Sequence, residues 1–434
     1  MKEKEIAGWG RYPKIKAKIY EIGEREEIPA LLKHISQGIP WGLGRSYGDS
    51  ALAQEIILTK GLKHFLAFDP QTGLLRAEAG VSLREIIQVF LPQGWFPPVV
   101  PGTQFVTLGG AVAADIHGKN HHHHGCFSEF VEEILLFIPE NGILRVSRQE
   151  NPELFYATCG GMGLTGLILE VSLRLTRVPS AFIRQTSIFL AGLEEILTAF
   201  EEHQQALYTV AWVDCSSTNP LGRGILLIGE HAQEAPLKIR LQKPRAVPFV
   251  PPVSLVNSWS IRIFNWLYTK QASRKPRLDL VPLEKFFFPL DKWAHWHRLY
   301  GPRGFLQYQF VVPKDQGLYA LREIAQQIKK SGLSSSLAVL KLFGPENKNF
   351  LSFPMEGYTL ALDFPYTEGL FRLLDRLDQI ILECGGRFYL AKDARLKASV
   401  FEKGYPYLER FRKLRKSLGL DKKIQSLQSR RLAL

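Results

Sequence analysis

Three glycine-rich segments are the residues of this sequence best suited to hold a large ligand. They are Gly42 to Asp49 (GLGRSYGD), Pro101 to His121 (PGTQFVTLGGAVAADIHGKNH) and Gly160 to Ile168 (GGMGLTGLI). Glycine has no side chain, so backbone N–H groups can converge on a phosphate and a flat ring can approach closely. One such segment is commonly an ordinary turn. Three of them in the first part of the chain predict separate contacts to the diphosphate, ring and adenosine parts of one nucleotide cofactor.

Familiar alternatives for these segments fail on spacing. Neither a GxxxxGK[ST] motif nor a GxGxxG motif that opens a helix is present, which disfavours P-loop and Rossmann sites. The run His121 to His124 invites a metal-site interpretation. Neighbours in sequence cannot all face one ion, however, and no suitably spaced carboxylate or histidine accompanies them. We therefore expect no metal.

Two glutamines and two lysines are the further polar candidates. Gln307 and Gln309 are two apart on a predicted strand, so their side chains share one face, where paired amides suit sugar hydroxyls. Two solvent-facing glutamines on an edge strand are the structural alternative. Lys392 lies in an apolar context and could accept a proton or bind phosphate, although surface charge is the usual role of a lysine. Lys341, in VLKLFG, is a second phosphate candidate.

Short elements are expected to position these residues. Ser82 to Leu91 is predicted to be a helix, because its apolar residues fall on one face and Ser82 with Glu85 makes a capping-box pair. A hairpin is expected from Ile134 to Val146, and a longer helix from Leu370 to Cys384, which ends at two glycines. The pattern is α+β, with turns too close together for regular βαβ units.

The order of the glycine-rich segments resembles the PCMH-type FAD-binding domain of the vanillyl-alcohol oxidase superfamily. Within it the chain is most similar to the decaprenylphosphoryl-β-D-ribose 2-oxidase family, from WGRYP (9–13) through GFLQYQF (304–310) to YLAKDAR (389–395), and DIHGKNHH (115–122) is the most diagnostic string. The resemblance implies a two-domain α+β flavoprotein. Residues 1–178 would be the FAD-binding domain, 179–385 an α+β substrate domain with a basic aromatic flap near 244–290, and 386–434 a C-terminal segment returning to the FAD domain.

The resemblance also implies site residues. FAD would be non-covalent, because Arg45 stands where covalent members often carry a histidine in the first loop. Lys392, Gln309, Gln307 and Tyr47 would be catalytic, and Lys341 and Lys392 would bind the substrate phosphate. The implied FAD-binding residues are Gly42, Leu43, Gly44, Arg45, Ser46, Tyr47, Gly48, Asp49, Gly102, Thr107, Leu108, Gly109, Gly110, Ala114, Asp115, Ile116, His117, Ile168 and Tyr389.

The activity implied by the resemblance is oxidation of a sugar secondary alcohol. The substrate would be the C2 hydroxyl of a polyprenylphosphoryl-β-D-ribose, and an NADH-dependent short-chain reductase would complete epimerisation to the arabinose form for arabinan and cell-wall biosynthesis. Ala361 stands where mycobacterial members have a reactive cysteine, which puts cysteine-directed inhibition in doubt. The alternative is a sugar-lactone or alditol oxidase acting on a free polyol, but the HWxK signature of lactone oxidases is absent near the C-terminus.

Composition bears on partners and location. The chain has 434 residues, 45% of them hydrophobic, and a net charge of +13. The charge is concentrated in two blocks, with ten basic and two acidic residues from Lys238 to Lys285 and fourteen and four from Arg387 onward. A remote alternative is a non-enzymatic binder of nucleic acid or anionic surfaces, but this would leave the glycine-rich segments unexplained. We expect no nucleic-acid partner.

Membrane contact is expected to be peripheral. No signal peptide and no membrane-spanning run are apparent, so the predicted location is cytoplasmic or at the surface of the inner membrane. The flap interleaves aromatic and basic residues and could meet an anionic lipid surface. An ordinary insertion folded against the body is an equally good interpretation of that segment.

Overall fold

The fold is α+β and contains three main β-sheets. The computed structural model describes residues 2–216, 218–238, 241–271 and 276–434. The strands are β1 Lys2–Ala7, β2 Lys14–Glu21, β3 Gly38–Trp41, β4 Glu55–Leu58, β5 Phe65–Asp69, β6 Leu74–Glu78, β7 Trp95–Phe96, β8 Val131–Ile138, β9 Gly142–Ser147, β10 Leu167–Arg174, β11 Thr176–Arg177, β12 Phe182–Leu190, β13 Tyr208–Val213, β14 Gly224–His231, β15 Arg245–Ala246, β16 Arg277–Pro282, β17 Trp293–Ala294, β18 Phe305–Pro313, β19 Leu337–Phe343, β20 Gly357–Pro365 and β21 Arg387–Phe388. The α-helices are α1 Ile28–His34, α2 Leu83–Phe90, α3 Leu108–Ala113, α4 His121–His124, α5 Pro152–Thr158, α6 Leu193–Glu202, α7 Ser258–Gln271, α8 Leu283–Phe287, α9 Gly317–Ser331, α10 Leu370–Glu383, α11 Ala398–Phe401, α12 Leu408–Ser417, α13 Leu420–Lys423 and α14 Leu427–Leu432.

Two of the main sheets form from the first part of the chain. One has the strand order β1-β2-β4-β3, and the other is antiparallel with the order β5-β6-β10-β8-β9. The predicted hairpin is confirmed as β8 and β9, with Ile134 opposite Val146. The helix predicted at Ser82 is confirmed as α2, where the Ser82 hydroxyl accepts from the Glu85 N–H at 3.2 Å and the Glu85 carboxylate accepts from the Ser82 N–H at 2.8 Å. Local sequence patterns were therefore sufficient to predict this hairpin and this helix.

The third main sheet has eight strands, in the order β16-β12-β14-β13-β19-β20-β18-β21. Its pairings are antiparallel, and β18 lies beside β20 over its whole length, with Gln309 opposite Ala361. The predicted long helix is confirmed as α10, which buries an apolar face and ends just before Gly385, whose φ of 71° reverses the chain. The sheet presents the two glutamines of β18 toward the first part of the chain.

The C-terminal segment returns to the first part of the chain. Its backbone pairs there, with Leu427 N donating to Leu52 O at 2.7 Å. The Arg431 guanidinium forms ion pairs with Asp49 at 2.7 Å and with Asp393 at 2.8 Å. Asp49 is almost fully shielded from solvent, so its pair with Arg431 fixes the C-terminal segment to the first glycine-rich loop, and Asp393 holds Arg431 from within the segment.

The segment expected as a flap divides into a folded part and an exposed part. Strand β16 pairs with β12 at the edge of the eight-stranded sheet, and Phe286, Phe287 and Phe288 are buried. For this triplet the alternative of an insertion folded against the body is confirmed, because the Phe287 ring packs against Tyr208 at 4.9 Å and Phe96 at 5.6 Å. Residues 272–275 of the segment lie outside the described residues. In the described ranges, no helix combines the length and apolar character needed to cross a bilayer.

Candidate active site

A cavity lies where the first part of the chain meets the eight-stranded sheet. Its empty volume, including the open mouth, is about 1790 Å³. The wall takes residues from all three glycine-rich segments and from β18, β19 and β20. The predicted site residues in the wall are Gly42, Leu43, Gly44, Arg45, Ser46, Tyr47, Gly102, Thr107, Gly109, Gly110, Ala114, Ile116, His117, Ile168, Gln307, Gln309, Lys341, Tyr389 and Lys392.

Four predicted cofactor-binding residues lie outside this wall. Leu108 is fully buried in the core, and Gly48 packs against the backbone of the C-terminal segment. The Asp49 carboxylate pairs with Arg431. The Asp115 carboxylate is buried and accepts hydrogen bonds from the Ser128 backbone and from side chains of the second half of the chain. Their side chains help to hold the wall together, and direct cofactor contact by these four residues stays a prediction.

The second glycine-rich segment provides a wall made largely of backbone. Thr107 caps α3, its hydroxyl accepting from the Gly110 N–H at 3.1 Å. A Cβ added at Gly110 would meet nothing but that hydroxyl within 4 Å, and one at Gly102 would meet nothing. Both glycines therefore open onto the cavity, where a side chain would occupy ligand space. A flat ring system fits such a wall.

Arg45 brings a buried cation to the same wall. Its guanidinium carbon lies 4.0 Å from the centroid of Trp9 and 5.2 Å from that of Phe105. Among the described residues, its buried Nε has no hydrogen-bond partner. Burial lowers its pKa, while the charge of Asp291 acts in the opposite direction. An unpartnered donor in a glycine-lined cavity suits an acceptor on an anionic ligand.

A hydrogen-bonded group joins the second segment to the sheet. The Gln309 Nε2 lies 3.1 Å from His117 Nε2 and donates to the Thr359 hydroxyl at 3.3 Å. Burial, reinforced by the charge of Lys341, lowers the pKa of His117 well below its usual value, so the ring is neutral. The Tyr389 hydroxyl donates to Ala114 O at 2.9 Å. Residues predicted from three separate stretches of sequence are thus in direct contact.

Two lysines face the cavity without a carboxylate partner. Lys341 Nζ lies 5.5 Å from the ring centroid of Phe343, and Lys392 Nζ lies 3.9 Å from that of Tyr47. No carboxylate in the described part of the chain forms an ion pair with either ammonium group. Burial lowers the pKa of Lys341 to about 7, with Lys392 adding to the shift. Burial lowers the pKa of Lys392 to about 8.

Asp363 is a site residue that the sequence reasoning missed. It is fully buried opposite Gln307 on β20, and Gln307 Nε2 donates to its Oδ1 at 2.5 Å. Its Oδ2 has no hydrogen-bond partner among the described residues. Burial raises the pKa of Asp363 to about 7, while the Gln307 hydrogen bond and the charge of Lys392 oppose that shift. The available signal was an aspartate inside the apolar strand TLALDFP.

Trp9 and Trp296 also line the cavity without having been singled out as site residues. Their rings are 5.9 Å apart and bring the N-terminal segment against residues 293–301. The four consecutive histidines form α4, and no metal-binding cluster occurs in the described ranges.

The fold and this cavity define an FAD-dependent oxidoreductase. An FAD-binding domain model matches residues 19–147, which contain the first two glycine-rich segments. The fit is independently supported by the open glycines of the wall and by the unpartnered Arg45 Nε. FAD is therefore the cofactor of this chain.

Comparison with known proteins gives the family. The chain is 36% identical to a decaprenylphosphoryl-β-D-ribose oxidase of Mycolicibacterium smegmatis, covering 99% of this chain and 98% of that protein. It is 31% identical to an uncharacterized protein of Streptomyces coelicolor over 82% of this chain and 100% of that protein. Human delta(24)-sterol reductase is 24% identical over 54% of this chain and 43% of its own length. The chain belongs to the decaprenylphosphoryl-β-D-ribose oxidase family.

Proposed function

We propose that this enzyme oxidises the C2 hydroxyl of a polyprenylphosphoryl-β-D-ribose to the 2-keto sugar, using non-covalent FAD. The observation that carries the proposal is the pairing of an FAD-type wall with two lysines in the same cavity that form no ion pair among the described residues. The near end-to-end similarity to a relative named for this substrate supports it. A free polyol would have no use for an unpaired cation such as Lys341, whereas a sugar phosphate requires one.

Lys392 is the proton acceptor in this proposal. Because burial lowers its pKa to about 8, a substantial fraction is neutral near physiological pH and can accept the hydroxyl proton. Gln309 and Gln307 border the same cavity, where their amides hold the neighbouring sugar hydroxyls. Lys341 provides charge for the phosphate, and Tyr47 packs beneath the Lys392 ammonium group.

FAD, when bound, accepts the hydride from the carbinol carbon and so supplies the redox chemistry. The residues that would hold it are the wall glycines, with Arg45 toward an anionic group and Tyr389 closing the site from the C-terminal segment. Non-covalent attachment of FAD is favoured because Arg45 occupies the first-loop position where covalent members often carry a histidine. His117, the histidine in the described cavity wall, is engaged through Nε2 by Gln309.

The chemistry of the product implies a second enzyme. A 2-keto sugar becomes the arabinose epimer only when a hydride is returned to the opposite face, which suits an NADH-dependent reductase of the short-chain type. The polyprenyl chain implies that substrate and product remain in a bilayer, so the enzyme would meet a membrane surface peripherally.

Anaerobic bleaching of the flavin absorbance tests this function. Polyprenylphosphoryl ribose should bleach the purified yellow enzyme, whereas ribitol, xylitol and gulonolactone should not. Bleaching by the free polyols alone would transfer the enzyme to the alditol or lactone oxidases. A colourless protein indifferent to added FAD would contradict flavin chemistry altogether.

A further inference from the structure

Helix α7 exposes an apolar face. Trp259 is 75% exposed, and Ile263, Trp266 and Leu267 lie with it along one side of the helix and are each about half exposed. Phe249 and Val253, in the chain that leads to the helix, are about two-thirds exposed. We call these six residues the apolar face. Contiguous exposure of large apolar side chains marks an interaction surface, because soluble proteins rarely leave such patches uncovered.

The opposite side of α7 is fixed to the body of the protein. Ile261 and Asn265 are buried, and the Asn265 Nδ2 donates to Asp214 Oδ1 at 2.7 Å. The Tyr268 ring meets Trp212 edge-on at 4.8 Å. The helix is therefore anchored through one side, and its outer side carries tryptophan and isoleucine where a surface helix ordinarily carries charged residues.

Charge around the apolar face is predominantly positive. From position 243 to position 278 the sequence contains no aspartate or glutamate. A neighbouring cleft, bordered by Phe249, is lined by Arg11, Lys14 and Arg298, with Glu5 as its carboxylate. The basic residues that the structure describes in this stretch are Lys243, Arg245, Arg262, Lys270 and Arg277. Such a surface complements an anionic partner with an apolar interior.

The apolar face is connected to elements of the cavity wall. The Arg298 guanidinium donates to Val247 O at 2.7 Å. Arg298 follows Trp296 by two residues, and Trp296 lines the cavity. Under α7, Trp212 of β13 lies opposite Val339 of β19, and Val339 also lines the cavity. A partner bound to the face would therefore lie beside the elements that enclose the substrate.

We propose that the apolar face docks the enzyme on an anionic phospholipid bilayer, with α7 lying in the plane of the interface. Trp259 and Trp266 would enter the headgroup region, and Arg262 and Lys270 would contact lipid phosphates. The excess of positive charge and the exposed tryptophans together favour an anionic lipid surface over a protein partner. The inference rests on the proposed function for its purpose, since the substrate is a lipid, but its test is independent of turnover.

Vesicle co-sedimentation of the FAD-loaded enzyme tests the docking. Vesicles of phosphatidylcholine with phosphatidylglycerol should bind the enzyme, and phosphatidylcholine alone should bind it much less. The double variant Trp259→Ser/Trp266→Ser should lose binding by about tenfold or more. Arg262→Gln/Lys270→Gln should weaken binding to anionic vesicles by about thirtyfold for two charges and should reduce the sensitivity of binding to salt. Tyr319→Ser, which removes a 57% exposed aromatic from α9, is the matched control and should bind as wild type does.

Three results would overturn the docking. They are failure of the wild type to bind anionic vesicles, equal binding by the double tryptophan variant, and light scattering that shows a dimer which this variant dissociates. The last would assign the face to a second copy of the chain. Turnover of a short-chain, water-soluble phosphoryl ribose should be unchanged in both double variants. Loss of that activity in the wild type, with vesicle binding intact, would remove the proposed function and leave the docking in place.

Discussion

Lys392 and Asp363 set the chemistry of the cavity at the scale of single residues. Lys392 is brought to the cavity wall by the C-terminal segment, and Asp363 lies on β20 behind the wall residue Gln307, to which it is hydrogen-bonded. The charge of Asp363 raises the pKa of Lys392, against the larger lowering by burial. The protonation of one group therefore depends on the other, and each can be tested by a substitution that keeps its shape.

Lys392→Met is expected to retain FAD and to lose turnover by about 10²- to 10⁴-fold, the range for removal of a general base. The flavin spectrum and the rate of anaerobic bleaching would be measured together. Lys397→Met is the matched control, because Lys397 belongs to the same segment but is exposed and pairs with Asp375. Normal bleaching in Lys392→Met would remove this lysine from the mechanism.

Asp363→Asn is expected to move the acid limb of the kcat/KM profile to lower pH. Removing the carboxylate charge lowers the pKa of Lys392, so the lysine becomes neutral, and able to accept a proton, at a lower pH. The asparagine oxygen can still accept from Gln307. Asp291→Asn, which removes a cavity carboxylate whose charge acts on Arg45, should leave the limb in place. An unmoved limb in Asp363→Asn would show that the two groups are not coupled in the reaction.

At the scale of elements, the short helix α3 places Gly110 at the cavity wall, where the absence of a side chain leaves room for the flavin ring. Gly110→Val should give a folded protein that purifies without yellow colour, because the added side chain, whose Cβ would meet only the Thr107 hydroxyl at 3.1 Å, enters the cavity where FAD would lie. Gly192→Val is the matched control, since an added Cβ there meets nothing within 4 Å and Gly192 precedes α6, away from the described cavity wall. The ratio of flavin to protein absorbance and the circular dichroism spectrum check both variants. A yellow Gly110→Val protein would contradict this placement of the cofactor.

The elements also show where local signals are sufficient. The capping box at Ser82 and the glycines after α10 act within a few residues, so the sequence pattern predicted both helices close to their bounds. For the Phe286 to Phe288 triplet the sequence left an exposed surface and a folded insertion equally open, and the triplet is buried because its packing partners come from β7 and β13, far away in sequence. Composition cannot distinguish an aromatic run that faces a core from one that faces solvent.

At the scale of the whole molecule, packing makes all four thiols inaccessible. Cys126, Cys159, Cys215 and Cys384 are free and buried, and burial raises the pKa of each thiol. Thiol reagents should therefore react only after unfolding, as counted with Ellman's reagent in native and denatured protein, and should leave the native enzyme active. Rapid labelling of native protein would indicate a local opening.

Ala361 extends this prediction to the cavity. Because Ala361 lines the wall opposite Gln309, Ala361→Cys should place a reactive thiol there and make the enzyme sensitive to iodoacetamide, with protection by substrate. Insensitivity of that variant would argue that the wall at β20 is closed to small reagents.

The sequence by itself determined the glycine-rich wall, the shared face of Gln307 and Gln309, and the family, because spacing, missing side chains and strand period are properties of neighbouring residues. Only the tertiary structure decided which of the predicted residues share one cavity, that the Asp49 and Asp115 carboxylates pair with distant parts of the chain, and that Asp363 is hydrogen-bonded to Gln307 and acts electrostatically on Lys392. Those relations depend on β18 pairing with β20 and on the return of the C-terminal segment. Contacts between distant parts of the chain determine which side chains are buried. Burial shifts the pKa of Lys392 and Asp363 and so determines which charged groups of the protein can exchange a proton near neutral pH.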